Sequence, residues 1–390
     1  MSSTSAKAPG YLTRTYSLQE ADKEKLALDD EHGTTPRKTK REKWRATHGP
    51  LKLFTGSAHP QLAHSIAELL GTSVGSASVA PFKNGETNVE VHESVRDCDV
   101  YIVQPTCNPC PNHYIMELLI MIDALRRADA KRITAVMPIF GYARQDKKET
   151  SRAPITARLV ADMLQMAGVD RCITVDLHAS QVQGFATYPI DNLYALPLVA
   201  SYIKQSIGAD VSPDDLVVVS PDAGGAKRAD IMAKILGCGL ALCSKTRTKA
   251  NLVDSMVLVG DVNGKTAILV DDMADTMGTL CMAANILKAH GARAVHGAVV
   301  HGVFSKPALD RIAESELEQL IVTDTIPMHI TCADPRVSPR KSIPHLATWI
   351  SASRCLVSTD ISGSFLAIAD SFLVIILISG DQPDSLLAEH

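Results

Sequence analysis

The sequence predicts an α/β fold with parallel sheets and crossover helices, and three observations carry that prediction. Short apolar runs alternate with amphipathic stretches from Leu51 onward. The central runs are apolar without a break, as in strands covered on both faces. The alternation then recurs as a second series, so two similar α/β domains are expected, over 49–195 and 196–330. The length of 390 residues suits two or three domains at roughly 100–200 residues each.

Taken in order, LKLFTG at 51–56 reads as a strand. A helix over 59–70 follows, with Leu62, Ile66, Leu69 and Leu70 on one face and Gly71 as its stop. VYIVQ at 100–104 is a strand. The stripe of Ile115, Leu118, Leu119, Ile122 and Leu125 marks a helix over 114–125. ITAVMPIF at 133–140 is a strand. Pro154 fits the first turn of a helix that Gly168 ends. CITVDLH at 172–178 closes the first series. The second has strands at 216–220, 240–244, 266–272 and 295–304, and helices over 223–236 and 278–290.

Residues 1–48 lack a sustained apolar period and read as a disordered tail. Its 37–45 stretch, RKTKREKWR, carries six basic residues and one acid, which fits a solvated arm. Residues 331–390 form a divergent segment whose fold the sequence leaves open. Lys+Arg of 39 against Asp+Glu of 43 gives a net charge of −4, which argues against nucleic-acid and anionic-membrane partners. An aromatic content of 4% disfavours base-stacking platforms. Nine cysteines, with one close pair at Cys107 and Cys110, are no disulfide framework and read as reduced core residues. The N-terminus has no apolar core of a secretory signal. The apolar run 361–379 has Asp370 near its middle, which is costly in a membrane span. The expected location is cytoplasmic, with an organellar address through the N-terminal extension as the alternative.

Open α/β sheets bind ligands beyond the carboxyl ends of their strands, and five segments there carry chemistry. In ILVDDMADTMGT (268–279) an apolar strand runs into Asp271 and Asp272, then a turn, then a helix. Helix-start amides and the Thr276 and Thr279 hydroxyls make a phosphate cradle, Gly278 permits close approach, and the acids suit ribose hydroxyls or a metal. SPDAGGAKR (220–228) places Asp222 before a Gly-Gly turn. VDLHAS (175–180) sets Asp176 and His178 on one side of a strand end, with His178 a metal ligand or phosphate donor. YARQDKKET (142–150) offers Arg144, Lys147 and Lys148 as a polyphosphate clamp. KTRTK (245–249) is a basic loop that can cover a transferring phosphoryl group. The sum fits an enzyme joining a ribose phosphate to a magnesium nucleotide, with cations and backbone amides of two sister halves facing each other. No Walker-type GxxxxGK[ST] is present.

These motifs, with FKNGETNVE (82–90) and SRAPITA (151–157), resemble ribose-phosphate diphosphokinase, the phosphoribosyl pyrophosphate synthetase family, from about Leu51 to Pro327. The resemblance implies two phosphoribosyltransferase-like domains, each a mostly parallel sheet flanked by helices. It implies a homohexamer and transfer of the β,γ-diphosphoryl group of MgATP to the C1 hydroxyl of ribose 5-phosphate. By that resemblance Lys245 and Arg247 are catalytic. ATP contacts fall on Phe82, Asn84, Gly85 and Glu86, and on Arg144, Gln145, Asp146, Lys147, Lys148 and Glu149. His178 and Asp222, then Asp176 and Asp191, match Mg2+ positions. Asp271, Asp272, Asp275, Thr276, Met277, Gly278 and Thr279 match the ribose 5-phosphate site, and Ser180 and Asn192 match positions linked to regulatory phosphate. Gly85 stands where Gln is common, Glu149 where Asp is, and Thr187 where an acid is. A non-catalytic regulatory subunit and an ordinary phosphoribosyltransferase are the alternatives, and the retained Lys245 and Arg247 count against the first.

Overall fold

The computed structural model describes residues 49–246, 255–327 and the backbone of 347–350. The tail 1–48 with its basic stretch, Arg247 and the rest of the basic loop, and the apolar run 361–379 lie outside the described residues. Of Lys245 the backbone alone is described.

The first series builds one parallel sheet. Strand β1 (Leu51–Thr55) leads to helix α1 (Pro60–Leu69), a hairpin of β2 (Ala77–Pro81) and β3 (Thr87–Val91), and strand β4 (Asp99–Val103). Helix α2 (Pro111–Arg127), strand β5 (Arg132–Met137), helix α3 (Thr156–Ala167) and strands β6 (Arg171–Val175) and β7 (Ile190–Leu193) follow. The strand order is β1-β4-β5-β6-β7, parallel throughout. Every residue of β4 is buried, which is why DVYIV shows no alternation. Ile115, Leu118, Met121, Ile122 and Leu125 of α2 pack with Val100, Ile102, Ile133 and Met137 in one core.

The second series begins with helix α4 (Leu196–Gln205) and strand β8 (Leu216–Ser220). Helix α5 (Ala226–Leu236), strands β9 (Gly239–Thr246), β10 (Ser255–Val259) and β11 (Thr266–Ala274), and helix α6 (Gly278–Ala289) come next. Strand β12 (Ala294–Gly302), helix α7 (Ala308–Ala313) and strands β13 (Gln319–Thr323) and β14 (Ala347–Ile350) complete it. The order is β10-β9-β8-β11-β12-β13-β14, with β9 and β10 antiparallel. Val217, Val219 and Leu269 pack under α6, while Val218, Ile268 and Val270 pack against α4 and α5. Both faces of the sheet are therefore covered. Helix α4 follows β7 in sequence yet belongs to the second core. Strand β14 comes from the segment whose fold the sequence left open.

Several boundaries differ from the sequence expectations. Helix α3 starts at Thr156, two residues after Pro154. The Gln145 carbonyl accepts the Ala157 N–H at 3.2 Å, so a tertiary bond fixes the start. Helix α5 begins at Ala226 rather than 223, because Asp222 Oδ1 accepts the N–H groups of Gly224 and Gly225 at 3.0 and 3.2 Å and holds that stretch as a turn. Gly168 does end α3, with φ of 103°.

The two sheets differ in one respect that decides where a ligand can enter. The first runs in a single direction across its strands. The second reverses between β8 and β11, since β9 lies on one side of β8 and β11 on the other. Such a reversal opens a crevice at the carboxyl edge.

Candidate active site

The carboxyl edges of the sheets meet, and they do so strand by strand. Beyond β1 and β13, His59 Nε2 lies 2.9 Å from the Asp324 carbonyl. Beyond β4 and β12, Asn108 Nδ2 donates to the Val303 carbonyl at 2.9 Å. Beyond β5 and β11, Arg144 Nη1 donates to Asp275 Oδ2 at 2.6 Å. Beyond β6, His178 Nδ1 lies 2.5 Å from Asp272 Oδ2 on β11. The β1 end of this seam is closed by side chains on carbonyls. The β5–β6 end is charged, and the crevice between β8 and β11 opens there.

On the crevice side, Ser220 Oγ donates to the Asp222 carbonyl at 2.6 Å, tightening the turn after β8. A Cβ on Gly225 would come within 2.8 Å of Ser220 Oγ, so the backbone packs there as only glycine allows. After β11 the chain turns through Asp275, Thr276 and Met277, the last with φ of 62°, a left-handed conformation a side chain rarely adopts. Arg311 Nη1 donates to the Thr276 carbonyl at 2.9 Å and steadies this turn. Helix α6 starts at Gly278, so its first amides face the turn.

The acids differ in their proton affinity. Burial works against charge on Asp272, but the His178 hydrogen bond and the Arg228 guanidinium, 3.7 Å away, outweigh it and hold the carboxyl well below the usual range. Burial and the Asp272 charge push the neighbouring Asp271 up. Burial raises Asp176 to about 6. The Asp272 hydrogen bond raises His178. A buried acid beside a half-buried one, the first ionised and the second protonated more readily, suits binding of sugar hydroxyls, which both donate and accept.

The other expected residues fall into three groups. Gln145, Asp146, Lys147, Lys148 and Glu149 continue the Arg144 loop. There Asp146 accepts from Gln181, and Lys147 pairs with Glu149 at 3.4 Å. Phe82, Asn84, Gly85 and Glu86 form the tip of the β2–β3 hairpin, where Asn84 Nδ2 donates to Glu86 Oε2 at 2.8 Å and Gly85 has φ of 89°. Phe82 is exposed there. Ser180 opens the turn after β6, while Asn192 is buried and its side-chain carbonyl accepts the Leu177 N–H at 2.9 Å. Asp191 is not brought to this edge. It pairs at 2.9 Å with Arg171, the first residue of β6, at the opposite end of that strand from Asp176.

The donor set near β6 and β8 suits a hard divalent cation. Asp176 is buried with Oδ1 lacking a hydrogen-bond partner, and carboxylate oxygens are the ligands magnesium prefers. Among the described residues, no group of three His, Cys, Asp or Glu side chains is gathered to hold a metal alone.

Three residues here were not singled out in the sequence. Arg228 lies within the SPDAGGAKR motif, Arg311 sits on α7, and His301 is buried in β12. A histidine at the carboxyl end of the strand AVHGAVVHG is the signal that marks the last.

Residues 51–168 match the family described as the N-terminal domain of ribose phosphate pyrophosphokinase. Residues 244–338 match the phosphoribosyl synthetase-associated domain. The chain is 55% identical over 277 residues to ribose-phosphate pyrophosphokinase A of Dictyostelium discoideum, covering 71% of this chain and 86% of the relative. It is 57% identical to ribose-phosphate pyrophosphokinase 2 of Schizosaccharomyces pombe, covering 71% and 85%. The crystal structure of phosphoribosylpyrophosphate synthetase from Mycobacterium smegmatis is similar, with 45% identity, a TM-score of 0.69, and coverage of 78% of this chain and 95% of that one.

Proposed function

The chain belongs to the ribose-phosphate pyrophosphokinase family, and on that footing we propose that it makes 5-phosphoribosyl 1-diphosphate and AMP from ATP and ribose 5-phosphate, for nucleotide biosynthesis. The C1 oxygen of the sugar bonds to the β-phosphorus of ATP. The bond from that phosphorus to the α–β bridging oxygen breaks, and AMP leaves with the oxygen. The observation that carries this reading is the Arg144–Asp275 contact of 2.6 Å, which joins the polyphosphate-clamp loop to the phosphate-cradle turn.

Ribose 5-phosphate sits on the half formed by 196–330. The helix-start amides and hydroxyls of the turn 275–279 take its phosphate, and Asp271 and Asp272 take its ring hydroxyls. ATP sits on the half formed by 49–195, with Arg144, Gln145, Lys147 and Lys148 on its phosphates. Arg144 leaves Asp275 when the triphosphate arrives, since a polyanion offers a guanidinium more charge than one carboxylate. The hairpin tip at Phe82, Asn84 and Glu86 adds contacts to the nucleotide. Asp176, His178 and Asp222 would hold Mg2+ with the nucleotide, and the ion would supply positive charge to the phosphates. Lys245 and Arg247 stabilise the charge that develops during transfer. Regulatory phosphate acts near Ser180.

The protein works as a homohexamer in the cytoplasm. The exposed Ile155, just before α3, and Leu159 and Met166 along it support self-association. The seven cysteines of the described residues are free thiols, which suits a reducing compartment. Among the described residues, no helix is long and apolar enough to cross a membrane.

The test is chromatography of purified protein with ATP, magnesium and ribose 5-phosphate. AMP and 5-phosphoribosyl 1-diphosphate are expected in equal amounts, and Lys245→Ala is expected to cut turnover by orders of magnitude without loss of folding. Absence of AMP at every phosphate concentration refutes the reading.

A further inference from the structure

We infer that His301 is a positioning residue for this reaction: from the second sheet it holds the backbone at the end of β6, and so sets the turn 176–178 opposite Asp272. The inference rests on the function proposed above and adds to it a residue with no contact to substrate.

The ring is 2% exposed and lies between the two halves. Its Nε2 is 3.0 Å from the Val175 carbonyl and 3.3 Å from the Asp176 carbonyl. Both carbonyls only accept, so Nε2 carries the proton. Its Nδ1 is 2.8 Å from Thr325 Oγ1, and on a neutral ring it accepts the threonine proton. Thr323 spends its own proton on the Val300 carbonyl at 2.7 Å. Both threonines are fully buried. One tautomer is thus fixed from the second core, and its single N–H is aimed at the first.

What it grips requires gripping. Asp176 has φ of 43°, a left-handed backbone on a residue with a Cβ. Its N–H donates to the Leu193 carbonyl at 2.8 Å, and its Oδ2 accepts the Ala195 N–H at 2.7 Å. Those bonds tie the turn within the first half alone. His301 ties it to the second, two residues before His178 meets Asp272. An apolar side chain of similar size would fill the space and leave two carbonyls without their donor. Each substrate binds one half, so a loosened turn degrades their mutual alignment more than the binding of either.

The test compares His301→Leu, His301→Gln and Thr325→Val with the wild type. The readouts are kcat and both KM values per folded molecule, and deuterium uptake of the peptide 175–185. For His301→Leu, kcat is expected to fall tenfold or more, with each KM within threefold and faster uptake in that peptide. His301→Gln keeps an N–H at the same reach and is expected to recover kcat to within threefold of wild type. Thr325→Val frees the tautomer and is expected to lower kcat twofold to fivefold, and it decides the matter with His301→Gln if the leucine variant does not fold. Unchanged kcat and uptake in His301→Leu, or a glutamine variant as impaired as the leucine one, overturns the inference. A wild type that releases no AMP refutes the proposed function instead, and uptake alone then tests the positioning.

Discussion

Replacing Arg132 by methionine is expected to remove a large part of the folding free energy while leaving turnover per folded molecule intact. Arg132 Nε and Nη2 donate to the two carboxylate oxygens of Asp99 at 2.8 and 2.5 Å, and Tyr101 Oη lies 3.3 Å from Oδ2. Asp99 is fully buried at the start of β4, and Arg132 is its register partner at the start of β5. Methionine fills the aliphatic volume but strands a buried carboxylate. Breaking a buried pair in this way costs about 3–5 kcal/mol. Set against a total stability of about 5–15 kcal/mol, that is about a fifth or more. The additional change Asp99→Asn removes the stranded charge and is expected to return at least about 2 kcal/mol. Urea unfolding followed by far-UV circular dichroism measures both variants. The pair sits at the amino ends of its strands, away from the carboxyl edges where the site lies, so activity is expected to follow the folded fraction. A loss below about 1 kcal/mol, or a double variant as unstable as the single one, would refute the reasoning.

Arg144→Ala gives the opposite pattern: it breaks an exposed ion pair with Asp275, so stability changes by less than about 1 kcal/mol. AMP formation is expected to fall at least about a hundredfold, since the clamp loses its bidentate donor; a proportionate fall in both quantities counts against the role. Asp275→Ala is expected to raise the KM for ribose 5-phosphate more than that for ATP, which steady-state kinetics with each substrate varied resolves. Burial holds the His296 imidazole below its ordinary 6.5, with Glu318 opposing and Lys288 reinforcing the effect. The unfolded chain therefore takes up a proton before the folded one does, and stability contributed at neutral pH is lost as pH falls through 6.5. His296→Leu should gain in melting temperature over the wild type as pH drops from 8 to 5, and a constant difference across that range would show that the ring does not titrate on unfolding.

The sequence made the central strands and their helices legible because burial on both faces leaves uninterrupted apolar runs such as DVYIV and LVVVS. Edge elements were harder. Strand β7 is only IDNL, with two polar residues in four, and β10 follows a stretch without apolar pattern. Helix α4 is amphipathic, and the expected boundary at 195/196 assigns it to the second half, whose core it joins. In the site, Asp271, Asp275, Arg144 and His178 were legible because charged groups at the ends of apolar strands have few reasons to be there. Their pairing across the seam was not, because Arg144 and Asp275 are 131 residues apart and only topology brings them together. Asp191 enters through the family resemblance alone, and the register with Ile173 and the pair with Arg171 set it apart from the carboxyl edge.

The reversal of strand order in the second sheet divides the labour between the halves. A sheet that winds one way leaves no notch along its rim, so a ligand on the first half is gripped by loops reaching out. The second half has a notch built into its winding, and cargo placed there is fixed by the main chain itself. On the function proposed above, remodelling the loops after β5 and β6 is expected to change acceptance of the phosphate donor more than binding of the sugar.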